Sequence, residues 1–156
     1  MADRSILTRL ASHAESPPVW LAFFVGLAWL QNRYLPLLDP GRTGVWVGTA
    51  LILAGAVLMA VSLAQFARAR TTVIPRERPT AMITTGVYRL SRNPIYLADA
   101  MVLTGVALIW DALALLLVPL FMALIEVRFI RGEEAGLRSL FGAEFDAFAA
   151  RTRRWL

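Results

Sequence analysis

The sequence predicts an all-α integral membrane protein of about four transmembrane helices. The third and fourth form a helical hairpin, and a cytoplasmic amphipathic helix follows them. Three observations predict this. The 156 residues are 58% hydrophobic and 17% charged, with a mean hydropathy of +0.59. A soluble domain runs at roughly 45–50% apolar and about 25% charged, and a chain this short has too little interior to hide the excess. Thr43 to Ala67 carries no charge at all. The arginines, finally, are segregated along the chain. These features exclude a disordered chain and argue against a soluble enzyme; one membrane domain spans residues 1–156.

The first span is placed at about 18–36. Pro17-Pro18 opens it, Trp20, Trp29 and Tyr34 suit interfacial positions, and Asp39-Pro40-Gly41 ends the connection. The second, about 44–66, is the clearest, because the uncharged run at about 1.5 Å per residue reaches about 37 Å. Gly44, Gly48, Ala50, Gly55 and Ala56 allow another helix to approach it closely, a homodimer partner included. The third, about 94–110, contains Asp99; the fourth, about 112–130, contains Pro119 and Glu126. Only Trp110-Asp111 separates them, so they form a tight hairpin. From Gly132 to Ala150, Leu137, Leu140, Phe141, Phe145 and Phe148 share one helical face. Spans one and two read as scaffold facing lipid.

Twelve of the sixteen basic residues, all arginine, fall between spans two and three or after span four. The positive-inside rule puts both segments, and both termini, in the cytoplasm. A bacterial inner membrane is the expected location. The net charge of +5 is read as arginine facing anionic lipid, not nucleic acid. The start does not resemble a cleaved signal peptide; Ser5–His13 reads as a short surface helix or a frayed tail. There is no cysteine and one histidine, His13, so neither a metal site nor a Ser–His–Asp triad is expected.

The hairpin has a chemical consequence. Its cytoplasmic ends are neighbours, so Thr84–Tyr96 meets the stretch from Arg128 through Glu133-Glu134 to Phe145. In that composite pocket Arg92, Arg128 and Arg131 can grip a carboxylate. Glu133 and Glu134 can accept hydrogen bonds from hydroxyls or an amine, and Tyr88 and Tyr96 offer faces to a cation or flat ring. The same residues also suit plain interfacial anchoring. Glu126 is read as pairing with a nearby arginine, and Asp99, one turn past Tyr96, as lining the pocket mouth.

The run TTGVYRLSRNPIYL, the Glu-Glu pair and FGAEFDAF together resemble the integral-membrane family of isoprenylcysteine carboxyl methyltransferases and phospholipid methyltransferases, in its bacterial branch. The TTVIP run at Thr71–Pro75 also resembles that branch. The resemblance covers about residues 70–156. Asn93 stands where the family usually has His, Val87 replaces Pro, Ala98 replaces Gly, and Phe145 and Phe148 replace Tyr.

The resemblance implies an S-adenosylmethionine-dependent methyltransferase acting on a lipophilic acceptor, carboxylate or amine, at the membrane–cytosol boundary. It implies a cofactor pocket of Tyr88, Arg92, Asn93, Pro94, Tyr96, Glu133 and Glu134. Arg128 or Arg131 would orient an anionic acceptor or the cofactor carboxylate. Methyl transfer from a sulfonium is an in-line displacement, so alignment and charge placement outweigh acid–base work. Two other readings compete: an NADPH-dependent membrane lipid or sterol reductase, although no dinucleotide glycine fingerprint is present, and a small non-enzymatic membrane protein.

Overall fold

A computed structural model describes residues 16–72 and 79–156. The Ser5–His13 stretch, Arg76, Arg78 and most of the TTVIP run lie outside the described residues. Every described element is helical: α1 (Pro17–Tyr34), α2 (Gly41–Ala69), a 3₁₀ turn (Gly86–Arg89), α3 (Pro94–Trp110), a second 3₁₀ turn (Ala112–Leu116), α4 (Leu117–Ile125), a π turn (Glu126–Ile130), α5 (Arg131–Phe141) and α6 (Ala143–Arg151).

The start signals are those of the sequence. Prolines occupy the first turns of α1 and α3, where a missing N–H costs nothing and φ is already helical. Among the described residues, two helices are long and apolar enough to cross a membrane: α2, with 29 residues, and the continuous helix Ala112–Phe141, with 30. Helix α3 is apolar but has 17 residues, and α1 has 18.

The small residues of α2 are used within the chain. Gly44, Gly48 and Gly55 are buried against α3. A Cβ on Gly44 would lie 2.5 Å from the Leu108 carbonyl oxygen, and one on Gly105 would lie 2.5 Å from that of Gly48. Backbone thus meets backbone, as small-residue helix faces allow. The opposite face of α2 exposes Trp46, Leu53 and Val57, the pattern of a helix solvated by lipid. Helix α1 packs on the hairpin's other side, where Phe24 meets Phe121 edge-to-face at 5.5 Å within a core that includes Leu103, Ile125 and Ile130.

The hairpin turn falls at Asp111, as its sequence predicts. Asp111 is buried and accepts three backbone hydrogen bonds: from Leu113 (2.8 Å), capping the 3₁₀ turn, and from Leu37 (2.6 Å) and Leu38 (3.0 Å) in the α1–α2 connection. It is a lock between two loops as well as a cap.

One expectation is corrected: the fourth helix does not end near residue 130 but continues through the π turn into α5. The amphipathic segment over 132–150 breaks at Gly142, a residue whose place in the sequence allows a break or bend there; it takes φ +50° and ψ −121°, a conformation that suits a residue without Cβ.

Candidate active site at the open end of the hairpin

The motif segment is shaped by its own small residues. Gly86 has φ +60°, and a Cβ there would run into the Gln65 side chain. The turn that follows directs Tyr88 into a cluster with Phe145 and Phe148, with Phe66 edge-to-face at 5.9 Å. Burial, reinforced by the charge of Glu133, holds the Tyr88 phenol well above its ordinary pKa, so it stays neutral and offers a ring. Asn93 precedes the first turn of α3 but makes no side-chain cap to it. Its amide instead donates to the Arg154 carbonyl (3.0 Å), while its backbone N–H donates to Ser91 Oγ (3.1 Å).

Tyr96 and Asp99, three residues apart on α3, face the same way. The Tyr96 hydroxyl donates to Glu133 Oε1 at 2.7 Å, and its ring lies 6.4 Å from that of Phe129. Thirty-seven residues separate Tyr96 from Glu133, and the hairpin brings them together. The neighbouring acid points elsewhere: Glu134 is buried and pairs with Arg92 (3.1 Å) and Arg154 (2.6 Å). The two members of the Glu-Glu pair therefore have different surroundings. Glu133 is shared with a phenol; Glu134 sits between two guanidinium groups.

The motif residues border a cavity of about 850 Å³, in the upper part of the range for small-molecule sites. Tyr88, Arg92, Asn93, Pro94, Tyr96, Glu133 and Glu134 line it, as do Asp99 and Arg128. Arg128 also lies over the Trp20 ring, 5.8 Å from its centroid. Arg131 does not line the cavity. Its side chain is 63% exposed and pairs with Glu126 at 3.2 Å. The π turn accounts for the separation: each residue in it turns through less angle than in an α-helix, so positions 128 and 131 do not share a face. Glu126, as its sequence position suggests, pairs with arginines, Arg131 and Arg154.

The sequence pattern missed two contributors. Met59, Leu63 and Phe66, at i, i+4 and i+7 of α2, form part of the cavity wall, so span two is more than scaffold. Their spacing marks one helix face, but a cavity-facing face and a lipid-facing one are equally apolar. The second is the segment Thr152–Trp155, which runs alongside the motif. The Arg92 backbone N–H donates to the Arg153 carbonyl (2.9 Å), and Ser91 Oγ donates to the Arg154 carbonyl (3.1 Å).

The donor set fits a zwitterionic, cationic cofactor. Carboxylates at Glu133 and Asp99 suit an ammonium, a sulfonium or ribose hydroxyls, and Arg128 suits a carboxylate. Arg92 Nε is buried and finds no hydrogen-bond acceptor among the described residues, while Arg92 as a whole lines the cavity.

The family model for phospholipid methyltransferases matches residues 43–144. The cobalt-zinc-cadmium resistance protein CzcN of Cupriavidus metallidurans is 32% identical over 111 residues, which cover 70% of this chain and 50% of that protein. The chain thus spans about half the length of this curated relative. No solved structure matches. The family match runs from the glycine face of α2, through the RNP motif and the hairpin, to the Glu-Glu pair, and the chain belongs to the phospholipid methyltransferase family.

Proposed function

We propose that the protein is a membrane methyltransferase that uses S-adenosylmethionine and methylates a lipophilic acceptor at the membrane–cytosol boundary. The observation that carries this is the Tyr96–Glu133 contact beside the Arg92–Glu134 pair on one cavity wall. Family membership supports it. The bound cofactor supplies an activated methyl on a sulfonium.

The chain's residues do the rest. Arg92 and Arg128, which both line the cavity, would hold a carboxylate. Glu133 accepts from hydroxyl or ammonium groups, with Tyr96 fixing one of its oxygens and leaving the other for the ligand. The Tyr88 and Tyr96 rings, both on the cavity wall, would offer their faces to a positive sulfur. Asn93 and Pro94 set the start of α3 and so the direction of Tyr96. Asp99, deeper on the same face, meets the acceptor side of the cavity. The apolar wall from Met59, Leu63 and Phe66 takes the acceptor's hydrocarbon, which enters laterally from lipid. Arg128 orients an anionic acceptor group; Arg131 acts from the rim through Glu126. Four spans, with α1 and α3 tilted little and both termini cytoplasmic in a bacterial inner membrane, complete the reading.

Calorimetric titration of S-adenosylmethionine into the purified protein tests it. Saturable one-site binding is expected, weakened about tenfold or more by Glu133→Ala. Absence of binding, or tighter binding of NADPH, contradicts it.

A further inference from the structure

We propose that the segment Thr152–Trp155 is a strap that holds the cofactor wall in shape, with Arg154 as a positioning residue for Glu134. This rests on the reading of the cavity as a cofactor site. The strap lies beyond the residues matched by the family model, which end at 144.

Its backbone is tied to the RNP motif at three successive residues: Ser91 Oγ and Asn93 Nδ2 both donate to the Arg154 carbonyl, and the Arg92 N–H donates to that of Arg153. Its side chains are tied to the other motif. Arg154 donates to Glu134 from Nε (3.1 Å) and Nη2 (2.6 Å), and to Glu126 from Nη1 (2.9 Å). Trp155 Nε1 donates to the second oxygen of Glu126 at 3.4 Å. One guanidinium thus bridges two acids from different turns.

The π turn makes this possible. Positions eight apart on a regular helix are rotated by about 80°. Absorbing one residue in a wider turn leaves seven regular steps and about 20° of rotation. Glu126 and Glu134 then fall on one face, and a planar fork of five donors spans them.

The result is a chain of alternating charge: Arg131, Glu126, Arg154, Glu134, Arg92. It begins at an exposed arginine and ends at one whose side chain is 14% exposed. Arg92 closes it by donating to the Ala149 carbonyl at 3.0 Å. Glu134 is consumed in this chain, and Glu133 is left to face the ligand. Removing Arg154 leaves a buried carboxylate with one cation in place of two, and Arg92 must turn toward it.

The chain has no cysteine, so Arg153→Cys accepts a single nitroxide label on an exposed side chain of the strap. In this background the strap is expected to give an immobilised spectrum. Arg154→Met is expected to mobilise the label and to raise the dissociation constant for S-adenosylmethionine about tenfold or more. Glu134→Gln is expected to weaken binding similarly, and the double variant no further, because both remove one interaction. Arg154→Lys, a point charge that reaches one acid at a time, recovers part of the loss. A mobile label with unchanged affinity in Arg154→Met overturns the proposal, as does additivity of the two variants. No binding by the otherwise unmodified labelled protein overturns the cofactor reading itself, a result distinct from a selective loss in Arg154→Met.

Discussion

Each end of the α3–α4 hairpin is organised by a buried acid, and the two acids are satisfied in different ways. At the far end Asp111 takes three backbone N–H groups, from Leu37, Leu38 and Leu113. At the open end, beside the cavity, Glu134 takes two guanidinium groups, from Arg92 and Arg154. A carboxylate saturated by backbone donors is fixed by the fold and has nothing left to offer a ligand. One held by long side chains borders a cavity, and one of its partners, Arg92, lines that cavity as well. The first arrangement builds a lock; the second builds a wall whose charges also serve binding. Helix α3 connects them, and at about 1.5 Å per residue the Tyr96 to Asp111 separation is about 22 Å.

Substitutions at the two ends should therefore separate stability from binding. Arg92→Ala is expected to have the largest effect on binding. It removes a cation that lines the cavity and one of the two on Glu134, and should weaken S-adenosylmethionine binding about 100-fold by calorimetry. If it lowers only the thermal midpoint, the cavity end is a second lock and the comparison breaks.

Asp111→Ala is expected to act the opposite way. It strands buried N–H donors and should lower the thermal midpoint in detergent by about 5–10 °C, with cofactor affinity unchanged within about twofold. The same lock has a pH signature. Burial works to raise the Asp111 pKa, but the hydrogen bonds from Leu38, Leu113 and Leu37 outweigh it and hold the carboxyl below its ordinary value. Its contribution is therefore present above the unfolded value near about 4 and is lost as pH falls through the lower folded value. Thermal scans between pH 6 and pH 3 should converge for wild type and Asp111→Ala at the acid end; parallel curves would remove Asp111 as the lock.

The smallest effect is expected at Arg138. Its pair with Asp146 is short, 2.8 Å, but both side chains are more than half exposed. Arg138→Ala should cost less than about 0.5 kcal/mol by denaturant titration. A larger loss would mean that ion pairs outside the buried chain also brace the wall.

The helix boundaries were legible in the sequence where a residue has a local reason to start or stop a helix: Pro17, Pro94 and Asp111. The composite site was legible because a two-residue connection forces the ends of a hairpin together, whatever lies between. Three features were not. The π turn at Glu126–Ile130 has no glycine or proline to announce it, and without it Arg128 and Arg131 look equivalent. The cavity face of α2 is as apolar as its lipid face, so hydropathy does not tell Phe66 from Trp46. The strap contacts join residues about twenty to sixty positions apart, through carbonyls and a guanidinium that have no local pattern. The glycines of α2 were visible as a close-approach face, but their partner, α3, was a matter of topology.

The most direct test is methyl transfer itself. Purified protein is incubated with isotopically labelled S-adenosylmethionine and a bacterial lipid extract, and the lipids are examined by mass spectrometry. The account predicts a labelled lipophilic product with wild type and with Asp111→Asn, and its loss with Arg92→Ala. A labelled product that survives Arg92→Ala, or none with wild type despite saturable cofactor binding, would contradict it.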